Sequence, residues 1–319
     1  MPVDGEVWHY TTAAGLIGIL TENVLRAGSA AFMNDHREIH AGQVAWNARI
    51  EQEAQQVTES LAQSIRNLGS FAISINPYDV YVACACRSGN NLTMWRNYTG
   101  VDVGFAIQLD PTKPLSMRRQ HRAEDIIFPS DRELPANVGG SEQTVMDLFN
   151  GLLSTAYKPL RWEDAIYNPD KQNAIMDNGV KKYRDYVDGA NFTDVTVKDF
   201  FEFMLDLERH LQLFKNIAFK DELERRIVSP LSHPYLKRAF MKYRPGKYGV
   251  VPFVELGIPE GESDAHSDGP QTIRRLPILR VTVGPTPYPE AARRSVLDLL
   301  GSCGYGDVPV DSSEIPFRR

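Results

Sequence analysis

The 319-residue sequence lacks the features that would place it in a membrane or in an oxidising compartment. No apolar run is long enough to span a bilayer, and the N-terminal segment MPVDGEVWHY lacks the basic and apolar regions of a signal peptide. Only three cysteines are present, Cys84, Cys86 and Cys303, and an odd number with a C-x-C spacing does not indicate a disulfide framework. These absences predict a cytoplasmic protein that has no membrane partner.

Several common catalytic motifs are also missing. The sequence contains no P-loop, no G-x-G-x-x-G, no H-E-x-x-H, no G-x-S-x-G and no zinc-type C-x-x-C pair. Four acids, Asp35, Glu38, Glu222 and Glu224, could meet in space as in a metal-dependent nuclease, but no ligand spacing identifies a metal. Because no such spacing is present, we expect no metal cofactor.

The net charge of the chain is −6. It argues against a generally basic nucleic-acid-binding protein and leaves room for a local basic patch.

The hydrophobic content of 42% is ordinary for a globular chain that builds a core. Apolar periodicity and capping residues predict strands at 6–10, 70–75, 80–86, 102–109, 124–128, 222–229, 250–256 and 277–283. They predict helices after Thr11 or Thr12, from an Asp35–Glu38 capping box to about residue 67, and at 91–98, 141–156, 170–186, 196–213 and 288–300. We expect one α+β domain over 1–319, with a mixed, mainly antiparallel sheet and a helical insertion or lobe at 130–213.

Three clusters carry groups suited to ligand chemistry. His9 stands at the first strand-to-helix junction, where it could hold a ribose hydroxyl or a pyrophosphate, or be a structural histidine. Trp95 and Tyr98 share a helix face and could stack a planar ligand or simply pack in the core. If 222–229 is a strand, Glu222, Glu224 and Arg226 share one face, which is costly to bury unless the charges are paired. That cost makes Glu224 a functional candidate, and a solvated Glu–Arg edge is the alternative.

A basic–aromatic stretch at 237–248 favours a different function. Its candidate contacts are Lys237, Arg238, Lys242, Tyr243, Arg244 and Lys247. Basic side chains interleaved with aromatic rings can follow a phosphate backbone and stack bases. The alternative hypothesis is therefore a non-enzymatic nucleic-acid-binding or sensor module, and a solvated basic loop is the simpler interpretation of the same residues.

The order of short motifs resembles a bacterial family of unknown activity, domain-of-unknown-function family 2971. The motifs are WHYT at 8–11, FMNDHRE at 32–38, CACRSGNNLTMWRNY at 84–98, VGFAIQL at 103–109, DELERRIV at 221–228 and SEIPFR at 313–318. The resemblance covers both ends of the chain and skips the central helical block.

The same arrangement distantly resembles the ADP-ribosyltransferases of the His-Tyr-Glu type. That resemblance implies a split sheet and a site for NAD as substrate, with a protein or nucleic acid as acceptor. It also implies a toxin or antiphage effector as the kind of protein. It implies that His9, with Tyr10 and Thr11, holds the ribose, and that Glu224 is catalytic, with Glu222 competing for that role.

The resemblance also implies the contacts to the rest of NAD. Ser88 with Tyr98 or Trp95 would line the nicotinamide pocket, and Arg226 would neutralise the phosphates or pair with a glutamate. The reaction would be loss of nicotinamide through an oxocarbenium-like state, which a nearby carboxylate stabilises.

Overall fold

A computed structural model describes residues 5–33, 37–59, 61–63, 65–66, 76–99, 102–120, 158–188, 194–232, 234–246, 249–259 and 274–316. The predicted capping residue Asp35, the strands at 70–75 and 124–128 and the helix at 141–156 lie outside these residues.

The described chain is an α+β fold, as the sequence predicts. Its mixed, mostly antiparallel sheet contains β1 (Val7–Thr11), β2 (Leu25–Ser29), β3 (Val80–Cys86), β4 (Phe105–Leu109), β5 (Ser116–Met117), β6 (Glu163–Asp164), β7 (Glu224–Pro230), β8 (Met241–Gly246), β9 (Gly249–Gly257), β10 (Ile278–Val283) and β11 (Val310–Ser312). The helices are α1 (Ala13–Glu22), α2 (Arg37–Ala54), α3 (Leu92–Tyr98), α4 (Pro169–Asp188), α5 (Asp194–Leu211), α6 (Pro234–Phe240) and α7 (Pro289–Ser302). Within the described residues, no helix combines the length and apolarity needed to cross a membrane.

Local signals explain where most of these elements begin and end. Thr12 caps α1, because its side chain accepts a hydrogen bond from the Gly15 N–H at 3.2 Å. The prediction that the second helix continues to about residue 67 was wrong, because a turn near 55–58 ends it at Ala54 before the chain becomes helical again. Strand β8 was not predicted, since most of its side chains are exposed and no apolar alternation marks it.

The sheet divides at β3, and this division positions the site. Strand β7 pairs along the whole of one edge of β3. Strands β1 and β2 share the other edge of β3. Trp8 of β1 pairs with Cys86 at one end of this edge, and Gly28 of β2 pairs with Val82, followed by one more pair, at the other end. Between these two contacts, residues 83–85 pair on that edge with no strand that the structure describes, so β1 and β2 diverge there and the sheet opens.

Helices cover both faces of the divided sheet. On one face, α1 and α7 bury a core that includes Leu16, Leu20 and Leu300. On the other face, α2, α4 and α5 pack around Trp46 and Tyr183, and α3 covers a separate aromatic cluster. In the described part of the predicted 130–213 lobe, α4 and α5 therefore form one layer together with α2, which lies before the lobe in the sequence. The short strand β6, also within 130–213, joins the sheet beside β7.

Candidate functional site

A cleft of about 710 Å³ lies on the face of the sheet that α2, α4 and α5 cover only in part. Strands β2, β3 and β7, the end of α3, the segment before β7 and the β8–β9 hairpin all contribute to its lining. Small-molecule sites in proteins usually enclose about 300–1,000 Å³, so this volume suits a ligand of nucleotide size.

A buried network of four charged side chains forms one side of the cleft. The Lys215 Nζ donates to Glu222 Oε2 at 2.7 Å and to Glu224 Oε2 at 2.6 Å. Arg226 donates from Nε to Glu224 Oε1 at 2.8 Å and from its second terminal nitrogen to Glu224 Oε2 at 2.9 Å. All four residues are at least 94% buried. The two cations balance the two carboxylates, which meets the condition for burying charge in a protein interior.

This pairing keeps Glu224 ionised. Burial alone would raise the pKa of its carboxyl group, but the charges and hydrogen bonds of Arg226 and Lys215 outweigh burial and lower the pKa to about 2. Burial would lower the pKa of Lys215, yet the neighbouring Glu224 and Glu222 raise it well above its usual value. Glu224 and Lys215 therefore stay charged throughout the physiological pH range.

Two uncharged groups of the cleft contact this network. The Tyr98 hydroxyl donates to Glu222 Oε2 at 3.0 Å, and burial followed by the Glu222 charge raises the pKa of that hydroxyl. Cys84 lines the cleft next to Glu224, and burial raises the pKa of its thiol, so the sulfur stays protonated. Cys84 thus lines the cleft and also packs against the core around Trp46 and Tyr183.

The backbone between the two glutamates has an unusual conformation. Glu222 ends a short 3-10 helix, Leu223 adopts the left-handed region with φ 46° and ψ 44°, and β7 begins at Glu224. A leucine in that region is strained by about 1–2 kcal/mol, and such strain concentrates at functional sites. The sequence correctly placed Glu224 and Arg226 on one strand face, but Glu222 reaches Lys215 from this turn rather than from the strand.

His9 is attached to the cleft through the backbone. Its Nδ1 lies 2.8 Å from the Cys84 carbonyl oxygen, across the gap where β1 leaves β3. A carbonyl only accepts, so Nδ1 carries the proton, and burial lowers the pKa of the ring and keeps it neutral. His9 does not line the cleft itself. It supports the Cys84 edge of the lining, which differs from the direct ribose contact that the sequence predicts.

Four other predicted ligand contacts do not line the cleft, and two of them, Tyr10 and Trp95, pack in the aromatic cluster beside Tyr98. Tyr10 donates its hydroxyl to the Ser88 carbonyl at 2.8 Å, and its ring meets Trp95 edge-on with 4.6 Å between centroids. Trp95 is 5% exposed and donates to Asn90 Oδ1, so it is a core residue, whereas its neighbour on the helix face, Tyr98, reaches the cleft.

The remaining two of these contacts are also structural. Thr11 packs against the first turn of α1, where a Cβ added at Gly15 would lie 1.9 Å from its hydroxyl oxygen. Ser88 faces a separate hollow of about 550 Å³ beside Trp8 and Arg280. The prediction that Thr11 and Ser88 contact a ligand in this cleft is corrected by their positions.

Arg226 is fully buried and engaged at both ends of its guanidinium group. Besides Glu224, it donates to the Gln212 carbonyl at 3.3 Å. Of the two roles expected for Arg226, pairing with a glutamate is confirmed, and contact with phosphates is not possible without breaking this network.

Exposed cations and aromatic rings surround the charged network. Arg96 from α3 and Arg244 from β8 both line the cleft and are exposed. Neither forms an ion pair within the part of the chain that the structure describes. Phe32 and Phe219 line the same cleft and are 42% and 38% exposed, which is high for phenylalanine. This combination offers charge for anions and flat apolar surface for planar rings.

The basic–aromatic stretch does not form one continuous surface. Its first half is the helix α6, where Lys237 pairs with Asp79, and its second half is β8, where Lys242 pairs with Glu255 at 2.7 Å. Tyr243 is 62% exposed and Arg244 belongs to the cleft. Arg238 is exposed on α6, and Lys247 lies outside the described residues. The interpretation of this stretch as a solvated loop is therefore corrected to a helix and a strand.

No known protein family matches the chain, and neither a curated protein nor a solved structure shows detectable similarity to it. The resemblances described above therefore depend on the motifs of this sequence alone.

Three residues of the cleft carried no signal in the sequence. Lys215 follows α5 without any motif, Arg96 lies between the two aromatics that drew attention, and Phe219 sits on a short 3-10 helix. Only the pairing requirement of the buried glutamates pointed to a missing cation, and it did not identify Lys215.

Proposed function

We propose that this protein is an NAD-consuming enzyme of the ADP-ribosyltransferase type, and that the cleft beside Lys215 is its substrate site. The observation that carries the proposal is that the elements holding three predicted groups lie side by side. His9 is on β1 and Glu224 is on β7, and these strands flank β3, which leads to the helix that ends at Tyr98. The paired residues Trp8, Cys86 and Glu224 form one row across the three strands.

The split in the sheet supports the same proposal. Strands β1 and β2 separate along the edge of β3, and the cleft is lined by β2 and β3 next to that opening. The resemblance implies a split sheet, and in this chain His9 lies where β1 leaves β3. The layer of α2, α4 and α5 leaves the cleft open at the side where α3 ends.

The lining suits the parts of a dinucleotide. The exposed Arg96 and Arg244 guanidinium groups match a diphosphate, since arginine donates paired hydrogen bonds to phosphate oxygens. Phe32, Phe219 and Tyr98 offer ring faces for nicotinamide or adenine. A carboxylate oxygen of the network that faces the cleft could accept from the ribose and stabilise positive charge as it forms there.

The proposed reaction breaks the bond between C1′ of the ribose and the nicotinamide nitrogen. Both bonding electrons leave with nicotinamide, and the ribose becomes an oxocarbenium ion whose positive charge faces the carboxylates. A nucleophilic oxygen or nitrogen of the acceptor, or water, then donates a lone pair to C1′ and releases a proton to solvent. A carboxylate held in place beside the ribose lowers the barrier without any proton transfer to the enzyme.

The experiment that tests this function is incubation of the purified chain with NAD labelled in the adenylate, with and without cell extract. We expect nicotinamide release and transfer of label, both lost in the double variant Glu222→Ala and Glu224→Ala. Absence of nicotinamide release and of label transfer by the wild type would reject the proposal.

The nucleic-acid-binding alternative gains no specific support from the fold. Lys237 and Lys242 are both paired with acids, so neither offers an unneutralised charge to a phosphate backbone. Its test remains salt-sensitive binding of RNA or DNA, lost on charge reversal of Lys242 and Arg244.

A further inference from the structure

We propose that Glu222 is the catalytic carboxylate of this site and that Glu224 is a positioning residue that holds Lys215 and Arg226. This assignment depends on the proposed function for its chemistry, and it rests on the different surroundings of the two carboxylates.

Both oxygens of Glu224 are already held by buried cations. Its Oε1 accepts from Arg226 Nε, and its Oε2 accepts both from Arg226 and from Lys215, all at 2.6–2.9 Å. The backbone is held as well, since the Glu224 N–H donates to the Tyr167 hydroxyl at 2.9 Å and its carbonyl accepts from the Ala165 N–H at 3.0 Å. A carboxylate in a bidentate pair with a fully buried arginine cannot turn toward a substrate without breaking both of those hydrogen bonds.

Glu222 uses only one of its two oxygens. Its Oε2 accepts from Tyr98 at 3.0 Å and from Lys215 at 2.7 Å. Its Oε1 forms no hydrogen bond with any residue that the structure describes, and the side chain lines the cleft. A carboxylate oxygen has room for further donors, so Oε1 can accept the ribose 2′-hydroxyl of the substrate. Tyr98 and Lys215 then fix the orientation of the group while leaving this oxygen available.

The strained Leu223 explains how the two carboxylates come to differ. In a continuous strand, residues two apart share a face and an environment. The left-handed turn at Leu223 places Glu222 on the 3-10 segment beside Tyr98, while Glu224 stays in the sheet beside Arg226. One carboxylate therefore faces the ligand space and the other stabilises the cation between them.

The test compares Glu222→Gln, Glu222→Asp and Glu224→Gln in the full chain, with NAD as the probe and nicotinamide release as the readout. We expect Glu222→Gln to lower kcat by about 100-fold, typical for loss of a charge that acts on the transition state, with KM for NAD nearly unchanged. Glu222→Asp keeps the charge and should restore about 10-fold of that loss. Glu224→Gln, assayed well below its melting temperature, should keep kcat within about 10-fold of wild type.

Thermal stability gives a readout that needs no NAD chemistry. Glu224→Gln removes the carboxylate that pairs with both Arg226 and Lys215, so we expect Tm to fall by about 5–8 °C. Glu222→Gln leaves both cations paired with Glu224, so it should shift Tm by less than about 2 °C. A Glu224→Gln enzyme without activity beside an active Glu222→Gln enzyme would overturn the assignment. If the wild type releases no nicotinamide, the proposed function fails. The Tm comparison then still decides, because an equal or larger loss in Glu222→Gln contradicts a structural Glu224.

Discussion

Replacing Lys215 with methionine removes the single cation that two buried carboxylates share. Both Glu222 and Glu224 accept from the Lys215 Nζ, at 2.7 and 2.6 Å, so their Oε2 atoms lie no farther apart than those two distances together. Two unit charges about 5 Å apart in an effective dielectric of about 20 repel by about 3 kcal/mol. Breaking one buried pair typically costs about 3–5 kcal/mol. We therefore expect the Lys215→Met chain to lose about 3–5 kcal/mol of unfolding free energy at pH 7.

The assay is thermal and chemical denaturation at pH 7 and at pH 4.5. For a chain of this length, the loss corresponds to a fall in Tm of about 5–8 °C. Without Lys215, the repelling carboxylates hold a proton more tightly when folded than when unfolded, so the variant loses stability as pH rises. The wild type shows the opposite trend, because its Glu224 pKa is lowered. The stability gap must therefore be larger at pH 7 than at pH 4.5.

The matched control is Arg294→Met, which breaks an exposed i,i+4 pair with Asp298. Exposed pairs contribute about 0.3–0.5 kcal/mol, so this variant should melt within about 1 °C of wild type at both pH values. A Lys215→Met chain as stable as this control, or a stability gap that does not change with pH, would refute the reasoning about the buried network.

Four further outcomes are expected. Glu224 has a pKa of about 2 when folded against 4.5 for a free side chain, so its contribution of about 3 kcal/mol is present above pH 4.5 and lost as pH falls toward 2; acid titration of Glu224→Gln should lack that loss. Because burial lowers the pKa of His9, the unfolded chain binds a proton at this ring more readily than the folded chain does. At pH values below about 6.5, wild-type Tm should therefore decrease more steeply with falling pH than the Tm of His9→Asn. Arg96→Gln with Arg244→Gln should raise KM for NAD by roughly 10-fold, and KM should depend less on salt than in the wild type, as steady-state kinetics at two ionic strengths can show. Tyr98→Phe keeps the ring but loses the bond to Glu222, so kcat should fall by about 10-fold with a Tm change of under about 2 °C, measured by nicotinamide release and differential scanning fluorimetry.

Much of the fold could be predicted from the sequence because its strands carry their own signals. The run from Val80 to Cys86 is apolar on both faces and lies in the middle of the sheet, with neighbours on both edges. The helix cap at Thr12 could be predicted from local chemistry alone. Strand β8 could not, because an edge strand with exposed lysine, tyrosine and arginine side chains has the same pattern as a polar loop.

The candidate site was only partly accessible to the same reasoning. The cost of burying charge correctly indicated that Glu224 and Arg226 need partners, and they pair with each other and with Lys215. Helical spacing placed Trp95 and Tyr98 on one face, but only tertiary packing decides that Trp95 is buried against Tyr10 while Tyr98 reaches the cleft. Lys215 is brought to the glutamates by the fold, with no sequence spacing that reveals it.

The proposal under test is that the cleft beside Lys215 binds NAD and that the protein releases nicotinamide from it. The most direct measurement is the time course of nicotinamide release from NAD by the full-length chain, beside the Glu222→Gln variant at the same concentration. We expect release that grows in proportion to wild-type enzyme and falls by about 100-fold in the variant. Equal release by both chains, or no release by the wild type with or without cell extract as a source of acceptor, would contradict it.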